Sequence, residues 1–108
     1  MTTRAMQLAQ NWAQTKSDVQ QACDRVNRTF SDLTVIAVTK TWPATDVDFL
    51  AELGLTDIGE NRDQEAASKQ EEVQHQNLTW HAIGQVQTNK AKSIAQWADV
   101  IHLSLIHI

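Results

Sequence analysis

Polar residues follow four short apolar segments of this 108-residue sequence, at the point where each segment ends. They are Lys40 and Thr41, Glu60 and Asn61, Gly84 and Gln85, and finally His102 and Ser104. A lysine whose amine is neutral is a nucleophile toward aldehydes and forms Schiff bases. Lys40 follows the apolar residues 35–38, and the rim of such a run is partly shielded from water, which favours the neutral amine. The sequence therefore predicts amine chemistry at Lys40, beside groups that can hydrogen-bond a polar ligand.

Each candidate also has a purely structural interpretation. A lysine at a strand end can extend its ammonium group into solvent. His81, inside the third apolar segment, would then be a hydrogen-bonded core residue, and Asn61 would cap the following helix. Spacing alone leaves these alternatives open. The four histidines lack the spacing of metal ligands, so we expect no metal site.

The periodicity of the apolar residues predicts the elements that would position these groups. Apolar residues at intervals of three and four predict one long helix over residues 3–30. Short runs rich in β-branched residues predict strands near residues 33–40, 55–59, 78–84 and 100–105, with helical segments between them. The strands recur about every 22 residues, which is the length of one strand-plus-helix unit.

This repeat predicts a parallel α/β fold, either a doubly wound sheet or a (β/α)₈ barrel. A whole barrel needs about 250 residues, so this chain could form at most half of one. Both architectures bind ligands at the carboxyl ends of their strands. Lys40 and Asn61 would therefore lie at a common edge of the sheet.

Composition limits the classes of partner. The net charge is −4 and basic residues form no patch or stripe, which argues against nucleic acid. No apolar run approaches the roughly 18 residues of a membrane span, and the first residues lack the apolar core of a secretory signal. We therefore expect a single cytoplasmic domain over residues 1–108 that binds neither nucleic acid nor membrane.

Three motifs together carry a resemblance to a known family. They are "AVTKTWP" at residues 37–43, "GENRDQE" at 59–65 and "WHAIGQVQTNK" at 80–90. In this order and at these intervals they closely resemble the pyridoxal phosphate homeostasis proteins, whose fold is similar to the barrel domain of alanine racemase. The resemblance implies the N-terminal half of a (β/α)₈ TIM barrel, preceded by a long helix.

The resemblance also implies a cofactor and a role. Lys40 would hold pyridoxal 5′-phosphate as a Schiff base, with Asn61 and His81 beside it. The family maintains intracellular vitamin B6 pools, and enzymes that require the cofactor are possible partners, while no catalytic turnover is established for it. Two alternatives stay open at this point. The first is a racemase-like or lyase-like enzyme that uses Lys40, and the second is a cofactor-free interaction module.

The sequence departs from the family at its end. Family members are more than twice as long, and their second half supplies a phosphate-binding loop. The final residues "IHLSLIHI" lack the aspartate expected after the fourth strand and resemble a truncation. Half a barrel exposes sheet edges and apolar interior. We therefore expect these 108 residues alone to bind the cofactor weakly and to self-associate.

Overall fold

The computed structural model describes residues 3–84 and 90–102, whose contacts divide the chain into two units, Met1–Val35 and Ile36–Ile108. The first unit contains helix α1 (Arg4–Arg25) and a 3₁₀ turn (Phe30–Asp32). The described part of the second unit contains strands β1 (Ala37–Val38), β2 (Asp57–Glu60), β3 (Thr79–Ala82) and β4 (Val100–Ile101). It also contains helices α2 (Ala44–Glu52), α3 (Asp63–Glu72) and α4 (Ala91–Trp97). The single-domain organisation of residues 1–108 stays a prediction.

Helix α1 begins and ends at recognisable caps. The Thr3 hydroxyl accepts the N–H of Met6 at 3.1 Å, as an N-cap residue does. The helix ends at Arg25, not at residue 30 as predicted, because Asn27 takes a left-handed φ of 57°. The N–H of Arg28 then bonds the Cys23 carbonyl at 2.9 Å, which closes a Schellman motif. Within the described residues, no helix is long and apolar enough to cross a membrane.

The four strands are parallel and lie in the order β1-β2-β3-β4. The register pairs Val38 with Gly59, Gly59 with His81, and His81 with Val100. A doubly wound sheet reverses its strand order at a switch point, whereas the strands of a (β/α)₈ barrel follow one another around the barrel. The order among the described strands therefore favours the barrel type. The predicted α/β class with a long first helix is confirmed.

The strands are shorter than the sequence predicted. β1 covers only Ala37–Val38 of the predicted 33–40, and β3 covers Thr79–Ala82 of the predicted 78–84. β2 begins at Asp57, two residues later than expected, because Gly54 and Leu55 still close the end of α2 through backbone bonds to Ala51 and Leu50. Within the described chain, β4 covers Val100–Ile101, while Gln85 and residues 103–105 lie outside the described residues.

The sheet has two distinct faces. Helices α2, α3 and α4 cover the helix face, where a buried cluster contains Val47, Ile58, Ala66, Trp80, Ala82, Ile94 and Trp97. Successive strand residues point to opposite faces, so Val38, Gly59 and His81 lie on the other side, which we call the opposite face. A Cβ on Gly59 would lie 3.0 Å from Ile36 Cγ2 and 3.4 Å from Ile83 Cδ1, which places these two side chains on the opposite face as well.

Candidate functional site

The carboxyl ends of the four strands are level with one another. Backbone bonds extend the ladder beyond the strands, from Thr39 N–H to the Gly59 carbonyl at 3.1 Å and from Ile83 N–H to the Glu60 carbonyl at 2.9 Å. Neighbouring strands lie about 4.8 Å apart. One residue further on, Asn61, Ile83 and His102 continue the opposite face, whereas Lys40 lies beyond the end of β1, in the turn at the same carboxyl edge.

Lys40 lies in a turn directly after β1 and is exposed. The shielding of Lys40 from water that the sequence suggested is therefore wrong, since β1 ends at Val38 and Thr39 separates the lysine from the strand. Lys40 lines neither the cleft between the starts of α3 and α4 nor the one between Trp42 and α3. The predicted position of Lys40 at the carboxyl edge of the sheet agrees with the structure.

Polar contacts hold the residues on both sides of Lys40. The Thr39 hydroxyl donates to Glu60 Oε1 at 2.7 Å, and the Thr39 carbonyl accepts from Lys69 Nζ at 2.6 Å. On the other side, the Thr41 N–H donates to Glu65 Oε1 at 2.5 Å. We call residues 39–41 the Lys40 turn. Its backbone is therefore tied to β2 and α3 as well as to its own strand.

A buried ion pair lies beneath the Lys40 turn. Lys69 is 5% exposed and donates to Glu60 Oε1 at 2.5 Å, and Glu60 itself is fully buried. Glu65, one helical turn earlier on α3, lies 3.5 Å from Lys69 Nζ. The second oxygen of Glu60, Oε2, is buried and meets no hydrogen-bond partner among the described residues. Charged side chains are rarely buried unless paired, so each member of this pair depends on the other for its burial.

Asn61 lies at the end of β2, beside the end of β3. It is exposed, and a Cβ on Gly84 would lie 3.7 Å from its own Cβ. Gly84 has a φ of 96°, a conformation that side chains rarely adopt, so the chain leaves β3 next to Asn61 without a side chain in the way. Asn61 also lines a cleft of about 480 Å³ between the start of α3 and α4.

Asp63 fixes one wall of this cleft. Its Oδ1 accepts the indole N–H of Trp97 at 2.7 Å. A hydrogen bond from the Ser93 side chain, the bond from Trp97 and the positive charge of Lys90 lower the pKa of Asp63, against the opposing effect of burial. The carboxylate therefore joins the first turn of α3 to α4 as an anion, and the cleft keeps its shape.

His81 is a buried residue of the opposite face, below the carboxyl edge at which Lys40 and Asn61 lie. Its Nε2 lies 2.8 Å from Asp57 Oδ1, and its Nδ1 lies 3.0 Å from His102 Nε2. A carboxylate only accepts, so Nε2 of His81 donates to Asp57, and in the neutral ring Nδ1 accepts the proton of His102. Both ring nitrogens are thus engaged within the chain. This fits the structural interpretation, and a contact of His81 with the cofactor stays a prediction.

The structure places both Lys40 and Asn61 at the carboxyl edge of the sheet, and it places His81 within β3, below that edge. Sequence reasoning missed Thr39, Glu65 and Lys69, the side chains and carbonyl that hold the Lys40 turn. The sequence does indicate that two of these residues act together, since Glu65 and Lys69 are four residues apart and therefore lie on the same side of α3. Nothing in the local pattern indicates that this side packs against the end of β1.

The sequence was compared with known proteins and family models. No family model matches the sequence. The chain is 33% identical over 108 residues to the pyridoxal phosphate homeostasis protein of Mycobacterium leprae, and 37% identical over 95 residues to that of Pseudomonas aeruginosa. These matches cover 92% and 88% of this chain. The chain belongs to the pyridoxal phosphate homeostasis protein family. It spans 42% and 41% of the length of these two relatives.

Solved structures of the family share the fold. PipY of Synechococcus elongatus, solved with pyridoxal phosphate bound, is 38% identical with a TM-score of 0.64, over 77% of this chain and 39% of PipY. A Bifidobacterium adolescentis protein of unknown function has a TM-score of 0.82 at 24% identity, over 91% of this chain and 44% of its own, and supports the fold alone. The predicted fold class, half of a (β/α)₈ barrel after a long helix, is confirmed.

Proposed function

We propose that the chain contributes Lys40 to a pyridoxal 5′-phosphate site and serves intracellular vitamin B6 homeostasis. The observation that carries the proposal is the position of Lys40. Its amine follows β1 at the carboxyl edge of a parallel sheet, in a turn held from both sides, and the same family includes a protein solved with this cofactor. A cytoplasmic location, and delivery of the cofactor to enzymes that need it, belong to the proposal as well.

The residues at this edge fit the aldehyde end of the cofactor. A primary amine condenses with an aldehyde when its nitrogen attacks the carbonyl carbon, and the carbonyl oxygen leaves as water. Lys40 is exposed and so is accessible to an aldehyde, and Asn61 follows β2 at the same edge of the sheet with an amide that can donate or accept. When bound, the cofactor supplies an electron-withdrawing ring that stabilises carbanions.

The turn and the strand end have different tasks in this proposal. The Lys40 turn holds the amine over the carboxyl edge, because its two flanking residues are bonded to Glu60, Lys69 and Glu65. The bare Gly84 leaves room beside Asn61 for a flat ring to approach the backbone. His81, with both nitrogens engaged, supports this edge from the layer below.

Reductive labelling tests the proposal on the 108-residue chain. Pyridoxal 5′-phosphate and cyanoborohydride, at limiting exposure, convert reactive lysines into stable adducts that peptide mapping locates. The chain has five lysines, of which Lys16 and Lys92 are exposed like Lys40, whereas Lys69 is 5% exposed and ion-paired. We expect Lys40 to be labelled first, Lys16 and Lys92 slowly, and Lys69 only after unfolding in urea.

The matched control is Lys92→Ala, which removes an exposed lysine from the same unit. Lys40→Ala should abolish the dominant adduct and the visible absorbance of the imine, while Lys92→Ala leaves both in place. Equal labelling of Lys16, Lys40 and Lys92 in the wild-type chain contradicts the assignment of Lys40. Retention of the visible absorbance by Lys40→Ala does the same, because the imine would then form on another amine of the chain.

A further inference from the structure

Thr41, the residue after Lys40, has a backbone conformation that needs outside support. Its φ is 66°, in the left-handed region. This region is uncommon for residues other than glycine and is an outlier for a β-branched side chain. Such conformations are strained and persist only where surrounding contacts enforce them. The contact at this position is the hydrogen bond from the Thr41 N–H to Glu65 Oε1.

The conformation of Thr41 decides where the chain goes after β1. The Trp42 N–H returns to the carbonyl of Thr39 at 3.0 Å, so residues 39–42 form a closed turn with Lys40 at its second position. If Thr41 relaxed to a negative φ, the peptide between Lys40 and Thr41 would flip and turn the Thr41 N–H away from Glu65. The backbone conformation at Lys40 therefore depends on the bond that Glu65 accepts.

The other side of the turn is fixed by a second set of contacts. Lys69 donates to the Thr39 carbonyl, and Glu60 accepts the Thr39 hydroxyl, both within the buried ion pair. Thr39 is itself fully buried. Contacts from two elements, β2 and α3, therefore hold Thr39 and Thr41, while the side chain of Lys40 between them is exposed. A reactive side chain on such a fixed base loses little freedom on reaction.

We propose that Glu65 is a positioning residue for Lys40, holding Thr41 in its left-handed conformation so that the amine meets an aldehyde at the carboxyl edge of the sheet. This inference rests on the proposed function, because it assumes that Lys40 is the reacting lysine. Lys69 shares the task by holding Thr39. Neither residue touches the aldehyde, and each acts through the backbone of the Lys40 turn.

The test measures how selectively Lys40 is labelled. The readout is the ratio of the Lys40 adduct to the Lys16 adduct after limited treatment with pyridoxal 5′-phosphate and cyanoborohydride. Loss of a charge-assisted hydrogen bond should lower this ratio about tenfold in Glu65→Ala. Glu65→Gln keeps a carbonyl oxygen that can accept the Thr41 N–H, so we expect it to retain most of the ratio. Glu71→Ala is the matched control, since Glu71 is an exposed carboxylate on the same helix.

The lysines themselves separate positioning from unfolding. General destabilisation would expose Lys69 to labelling, whereas loss of positioning lowers the Lys40 adduct while Lys69 stays unlabelled. A wild-type chain without Lys40 selectivity refutes the proposed function. A selective wild type with an unchanged ratio in Glu65→Ala overturns only the positioning role. Should Glu65→Ala fail to fold, hydrogen exchange in the wild type decides: protection of the Thr41 amide supports the contact, and exchange at the rate of an unstructured peptide overturns it.

Discussion

Replacing Lys69 by methionine should destabilise the chain severely, although Lys69 is only one of five lysines. Methionine has a similar length and suits a helix, so the change removes the charge and leaves packing nearly unaltered. The variant leaves the fully buried carboxylate of Glu60 without its cation. It also leaves the Thr39 carbonyl without the hydrogen bond that Lys69 donates. Breaking one partner of a buried pair costs about 3–5 kcal/mol.

That loss is large compared with the whole stability of the chain. Domains gain roughly 0.05–0.15 kcal/mol per residue, or about 5–16 kcal/mol for a chain of this length. Urea unfolding can follow the change through Trp80 and Trp97, which are both buried. We expect a lower midpoint with an unchanged dependence on urea, since the surface exposed on unfolding stays the same. Lys92→Met, at an exposed position on α4, should change stability by no more than about 0.5 kcal/mol.

A second substitution identifies the cause of the loss. Glu60→Gln in the Lys69→Met background removes the uncompensated charge and keeps an oxygen that accepts the Thr39 hydroxyl. We expect this double variant to recover at least about 1 kcal/mol, because the stranded charge accounts for much of the cost. The reasoning fails if Lys69→Met costs less than about 1 kcal/mol, or if adding Glu60→Gln destabilises the chain further.

Two further predictions test the sheet and the cleft. Gly59→Ala should cost about 1 kcal/mol in urea unfolding, because overpacking against Ile36 outweighs the smaller gain from a stiffer unfolded chain. Ile36→Ala in the same chain should remove most of this penalty, and equal penalties in both backgrounds would contradict the contact. Asp63 has a lowered pKa in the folded chain, so its contribution is present above about pH 4 and is lost as the pH falls through the folded value. The stability difference between wild type and Asp63→Asn should therefore be larger at pH 6 than at pH 3, and a difference independent of pH would refute the role of the anion.

The sequence predicts the layer of strand ends because its signal is repetitive. Each apolar run ends in polar residues, and parallel strands bring their carboxyl ends to one edge, so Lys40 and Asn61 had to lie near each other. The end of α1 was mispredicted for a local reason. Asn27 performs the capping task that glycine usually has, and an asparagine does not interrupt a helical pattern as clearly. The sequence left open whether Lys40 is shielded or exposed, because the length of β1 depends on its pairing with β2.

The buried pair could not be predicted from its own segment. Lys69 belongs to a helix rich in glutamate and glutamine, whose composition predicts an exposed side chain there. Its burial depends on Glu60 at the end of β2, and Glu60 looks like one of several acids at the start of α3. The alternation of β2 contains the missing information, since Ile58 and Glu60 point to the same face and that face is covered by helices.

The two faces of the sheet divide the work of the proposed site. Lys40 and Asn61 lie at the carboxyl edge of the opposite face, on which Val38 and Val100 are 45% and 38% exposed. The groups that hold the Lys40 turn belong to the helix face, where Glu60 and Lys69 are buried. An exposed turn on the first face can therefore be held from the second, because Glu60 and Lys69 there are shielded from competing water. Catalytic and binding groups gain most from such a base when their own side chains must stay accessible. A variant that loosens the helix face should consequently impair Lys40 without altering any group that faces the aldehyde.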